Sequence, residues 1–133
     1  MKIRYHLAVA FVVFGATHAT AQTKDQVIAA ECTTDATGVD GRRKACDSAW
    51  TVISAPDGYV FAKETLSGGE ASANGSEHEC RVKWGKQEEI LPGSKIMQPT
   101  ELSLQAHARS PKGHASGRGW EKCKYSVTMS KYK

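Results

Sequence analysis

The sequence is short of most features that mark an enzyme. It contains no GxSxG string, and the nearest, "HASG" at 114–117, has no strand-turn-helix setting, so a serine nucleophile elbow is excluded. No CxxC or CxH spacing occurs, which argues against a zinc site built on cysteines. The glycine-rich "GHASGRG" is not followed by GK and a helix. It leads into the strand-like "WEKCKY", so a phosphate-binding Walker loop is excluded as well. No cofactor is expected. No cysteine stands before Cys32, which leaves no site for lipid attachment close behind a leader, and no apolar run approaches the ~20 residues of a spanning helix.

What the chain does have begins at its first residues. Lys2 and Arg4 precede an apolar run from Leu7 to Phe14, with Gly15 and Ala16 behind it and the small residues Ala19, Thr20 and Ala21 before Gln22. This is the charged, apolar and small-residue order of a secretory leader, of a length that suits a bacterium. Residues 1–21 are therefore assigned as a signal peptide and 22–133 as one domain, exported to a periplasm or the medium, with no membrane span. The 112 residues left after cleavage are too few for two ordinary cores. A domain of this size buries only about two thirds of its unfolded surface, so covalent staples help.

All four cysteines, Cys32, Cys46, Cys80 and Cys123, lie in the exported part. Four cysteines allow three pairings. Cys32 with Cys46 is preferred because it is local, and Cys80 with Cys123 because both fall in strand-like runs. By chain entropy the first bridge would contribute ~3 kcal/mol. Charge is uneven along the chain: residues 22–79 sum to −5 and residues 80–133 to +7. The total of +2 is too small to require nucleic acid as a partner, and none is expected.

Residues 24–31, "KDQVIAAE", are read as one or two helical turns. "CTTDATGVDGRRKAC" is read as a disulfide-closed surface loop carrying the basic triplet Arg42, Arg43 and Lys44. Beyond it the period is two. "AWTVISA" and "YVFAKETL" flank the turn Pro56, Asp57 and Gly58 as an expected hairpin, and "SGGEASANGS" is read as a loop, with Asn74, Gly75 and Ser76 as a turn and not a glycan acceptor. "HECRVKW" alternates one apolar and one charged face, with His78 inward. "EEILPGSKIM" is read as two short edges around Pro92 and Gly93. "TELSLQAHAR" places Leu102, Leu104, Ala106 and Ala108 inward and His107 outward. "EKCKYSVTM" does the same for Cys123, Tyr125, Val127 and Met129.

Six or seven short strands without a βαβ rhythm predict an all-β fold, a small antiparallel β-sandwich stapled by disulfides. A Cys80–Cys123 bridge with Trp84 on the same face resembles the way immunoglobulin-type domains pin two sheets around a tryptophan. The resemblance is one of architecture, since Glu121 stands where that family carries a tyrosine.

The candidate contact surface is "SPKGHASGRGW", residues 110–120, read as a hairpin loop between two strands. Arg109, Lys112, His114, Arg118 and Trp120 are its candidate ligand-binding residues. Gly113, Gly117 and Gly119 are placed to form a small anion-accepting nest of backbone amides. Trp120 has the parity of Lys122 and Lys124, which is outward, unless a bulge at Gly119 returns it to the core. No catalytic residue and no metal ligand is assigned, because outward His107 and inward His78 should not converge with His114. The resulting expectation is a non-enzymatic exported binding module that contacts an anionic glycan, an envelope polymer or a protein partner. An inhibitor or accessory subunit of an enzyme is the second reading, and a phosphodiesterase using His107 or His114 the third.

Overall fold

The computed structural model describes residues 22–133, so the expected leader lies outside the described residues. Seven strands form: β1 (Thr23–Thr33), β2 (Ala45–Asp47), β3 (Thr51–Ser54), β4 (Tyr59–Asn74), β5 (Glu77–Glu89), β6 (Met97–Arg109) and β7 (Trp120–Lys131). One antiparallel sheet has the order β1-β7-β4. In the other, β6 is central, with β5 along one side and β2 then β3 along the other. The fold is all-β, two antiparallel sheets packed as a sandwich.

Two of the alternating strands read from sequence, β6 and β7, form the centres of the two sheets, and "HECRVKW" lies in β5, beside β6. Leu102, Leu104, Ala106 and Ala108 of β6 and Cys123, Val127 and Met129 of β7 are buried, with Tyr125 half-buried beside them. Ile28 and Ala30 of β1 and Phe61 of β4 complete the core, and Trp84 packs its ring 6.1 Å from that of Phe61. The disulfides join Cys32 to Cys46 and Cys80 to Cys123, the expected pairing. Each crosses between the sheets: the first ties edge strand β1 to β2, the second ties β5 to β7.

Four local expectations are corrected. Residues 24–31 are not helical; they pair with β7 over the whole of β1, with Gln26 opposite Val127 and Ala30 opposite Cys123. Eight residues hold a helix only marginally in isolation, so backbone pairing with β7 and burial of Ile28 and Ala30 decide the state. The turn at Pro56 forms, with the Tyr59 amide donating to the Pro56 carbonyl at 2.9 Å, but β3 and β4 do not make a hairpin. β3 pairs with β6 and β4 with β7, so this turn carries the chain from one sheet to the other. Most of "SGGEASANGS" is strand, because a sheet needs backbone groups and not large side chains. A Cβ on Gly68, at φ +122°, would lie 2.2 Å from the Lys124 carbonyl oxygen. Finally, residues 88–97 are the ends of two long strands and the turn between them. β5 and β6 form a true hairpin through the turn at 90–96, with the Ile90 amide donating to the Ile96 carbonyl.

Interleaving the strands also cancels the charge split. Basic β7 lies between β1 and β4, which puts Lys122 opposite Glu31, and Arg81 of β5 is 3.0 Å from Asp47 of β2. The −5 and +7 segments of the sequence are therefore not separate faces of the molecule.

Candidate functional site

Residues 110–119 do not close a hairpin. They carry the chain over one end of the sandwich, from β6 in one sheet to β7 in the other. Their anchor is Ser110, fully buried, whose hydroxyl accepts from the Lys44 amide at 2.8 Å and meets the Thr37 hydroxyl at 2.7 Å. At the other end the Gly119 amide donates to the Thr34 hydroxyl, and the Gly119 carbonyl accepts from the Thr34 amide. Between them the Ala115 amide donates to the Gly38 carbonyl, and His114 Nδ1 lies 3.0 Å from the Val39 carbonyl oxygen. The loop is thus bonded along its length to residues 34–44, the other glycine-rich, basic segment. The β4–β5 turn locks onto the same end: the Ser76 amide donates to the Arg109 carbonyl, and the Asn74 side chain donates to the Arg118 carbonyl.

This arrangement divides the five candidate residues. Lys112, His114 and Arg118 stand exposed on the end of the sandwich, near exposed Arg42 and Lys44. Arg109 lies on the outer face of the β6 sheet, opposite Glu77 in register, and its guanidinium is 3.4 Å from the Glu77 carboxylate. Trp120 lies on the outer face of the other sheet, half-buried, with its indole N–H donating to the Ser72 hydroxyl at 3.0 Å. The bulge that would have returned it to the core does not form at Gly119. Arg109 and Trp120 therefore belong to opposite faces. Nor can Gly119 take part in an anion nest, because its amide is bonded to Thr34.

On the β6 face, Arg109 joins a mixed network. Asp47 of β2 contacts His107 Nδ1 at 2.8 Å and Arg81 at 3.0 Å, Glu77 lies 3.7 Å from His107 Nε2, and Arg81 also pairs with Glu79. Hydrogen bonding and the charge of Arg81 hold the Glu79 carboxyl below the usual carboxylate range. Within this network cationic side chains and carboxylates alternate, so Arg109 and Arg81 are both paired.

A third cluster sits in the seam between the sheets, near the turn that joins β4 to β5. Glu121 of β7 has the inward parity of Cys123 and is fully buried. Its Oε2 has no hydrogen-bond partner and lies 3.4 Å from Nδ1 of His78, which also contacts Glu70 at 2.6 Å. Glu121 Oε1 is 3.4 Å from Cys80 Sγ, but that sulfur is in a disulfide and has no proton to donate. Burial pushes the Glu121 carboxyl up to about 7. The nearby Glu70 carboxylate acts in the same sense, against the charge of His78. A bulge in β4 between Glu70 and Ser72 sets the geometry. It places Glu70 opposite Cys123, facing the seam, while Ser72 opposite Lys122 faces out toward Trp120.

Sequence reading passed over this cluster. The signal available was Glu121 itself, an acidic residue on the inward parity of a strongly alternating strand. Glu70 was hidden because its segment reads as a loop. The inward parity of His78 carries its side chain toward Glu121, although it stays partly exposed. The three candidate histidines have separate partners: His78 the seam carboxylates, His107 Asp47 and Glu77, and His114 the Val39 carbonyl. Comparison with protein-family models, curated proteins and solved structures finds no match to this chain in any of the three.

Proposed function

We propose that the protein is an exported, non-enzymatic binding module that contacts an anionic glycan or envelope polymer through the end of the sandwich built from residues 34–44 and 110–119. One observation carries this reading. Two basic, glycine-rich segments far apart in sequence are hydrogen-bonded into a single surface that leaves Arg42, Lys44, Lys112 and Arg118 exposed. Of these, only Arg42 has a carboxylate near it among the described residues, Asp40 at 3.8 Å. Loops held at the end of a rigid sandwich are where such scaffolds carry recognition. The two disulfides suit an oxidising compartment, and among the described residues no helix is long and apolar enough to cross a membrane.

The reading is tested by retention of the purified protein on an immobilised sulfated or carboxylated polysaccharide. Binding should weaken as salt rises, because exposed charges are screened beyond ~10 Å at 0.1 M. The double variant Lys112→Ala, Arg118→Ala should elute at clearly lower salt with its melting temperature unchanged. Equal retention of wild type and double variant would remove the loop surface from consideration.

A further inference from the structure

We propose that Glu70, His78 and Glu121 form a binding site for a divalent transition-metal ion of the zinc type, held by one imidazole nitrogen and two carboxylate oxygens. This inference stands apart from the end-loop reading and uses none of its residues.

The ligand atoms of these three side chains all lie within 4.8 Å of one another. Imidazole with carboxylates is a donor set suited to zinc and its first-row neighbours, and three protein ligands leave a position for water. The 3.4 Å between His78 Nδ1 and Glu121 Oε2 matches the spacing of two ligands around a tetrahedral ion with bonds of ~2.0–2.2 Å. Glu70 sits closer to His78, at 2.6 Å, but it is exposed and can swing outward to make room.

The independent mark of a ligand is the state of Glu121. Its side chain is fully buried, its Oε2 has no hydrogen-bond partner, and that oxygen is aimed at His78. A buried carboxylate oxygen without a donor is costly, and a cation between it and the imidazole would satisfy it. A doubly charged ion would also match the charge of both carboxylates.

The backbone holds this arrangement firmly. His78 and Glu121 each stand two residues before a cysteine of the same inter-sheet disulfide, on the same side of their strands, and Glu70 faces Cys123 in register across the β4 bulge. Three strands from two sheets thus deliver one ligand each beside a covalent clamp. Cys80 and Cys123 lie near Glu121, but as a disulfide they offer no thiolate and are not ligands.

The test uses purified, disulfide-bonded protein stripped with a chelator, then titrated with Zn²⁺ by calorimetry and with Co²⁺ by visible absorption. One ion per chain is expected. His78→Ala and Glu121→Gln should each weaken binding at least tenfold and Glu70→Ala by less, while His107→Ala, on the opposite side of the β6 sheet, should bind as wild type does. Because Glu121 is buried, the judgement rests on His78→Ala and Glu70→Ala, whose side chains are partly exposed, with near-ultraviolet circular dichroism confirming the fold. Absence of Zn²⁺ and Co²⁺ binding overturns the proposal. So does wild-type binding that persists in His78→Ala or is lost in His107→Ala.

Discussion

Replacing Glu121 by glutamine should stabilise the metal-free protein above neutral pH and change it least in acid. The carboxyl is held at about 7 in the folded protein, against 4.5 for a freely solvated glutamate. Below about 4.5 both states carry the proton, and the folded state has its full stability. As pH rises from there, the unfolded chain releases the proton while the folded one keeps it, so stability is lost until the folded group also ionises near 7. At 1.36 kcal/mol per pKa unit the loss across this window is about 3 kcal/mol. For a domain of this size, that is roughly 10 °C in melting temperature. Glutamine occupies the same volume and cannot ionise. The assay is thermal unfolding by circular dichroism at steps from pH 4.5 to 8.5 in chelator-treated buffer, so that no divalent ion occupies the seam. What matters is the difference between wild type and Glu121→Gln, which removes the contribution of every other titrating group. That difference should shift in the variant's favour by about 3 kcal/mol between the two ends. A difference that stays flat, or moves the other way, would mean that Glu121 is not held protonated by its burial, and the reasoning would fail.

Two further outcomes follow from the staples and the glycines. Removing the Cys80–Cys123 bridge by double alanine substitution opens a loop of 43 residues against 14 for Cys32–Cys46, so by chain entropy it should cost about 4 kcal/mol against about 3. Urea midpoints in the reverse order would show that another effect dominates. Gly75, at φ +130°, would put a Cβ 2.1 Å from the Arg109 carbonyl oxygen, so Gly75→Ala should cost roughly 2 kcal/mol or more. Gly117→Ala, with no atom within 4 Å of the added carbon, should stay within about 0.5 kcal/mol of wild type. Similar melting temperatures for these two variants would contradict the packing at the end of the sandwich.

The candidate site was legible only in pieces. The basic loop at 110–119 and the basic loop at 32–46 could each be read, but not that they join. The bonds between them run from Thr34, Thr37 and Gly38 to Gly117, Gly119, Ser110 and Ala115, through backbone groups and hydroxyls that no local pattern marks. Arg109 and Trp120 are eleven residues apart and looked like neighbours on one surface. The change of sheet between them put them on opposite faces.

By itself, the sequence determined the class of fold and the inward faces of β6 and β7, and it favoured one of the three cysteine pairings. Each depends on a local quantity, either alternation at period two or the spacing and setting of the cysteines. The tertiary structure decided that residues 23–33 and 67–74 are strands, which sheet each strand joins, and where β4 bulges. Backbone hydrogen bonds that take little account of side-chain identity settle those choices, and only a partner strand already in place can supply them. Glu121 lies on both sides of this division. Its inward parity is written in β7, but whether it meets an aliphatic neighbour, a proton or an ion depends on the bulge and the bridge that bring Glu70 and His78 to it.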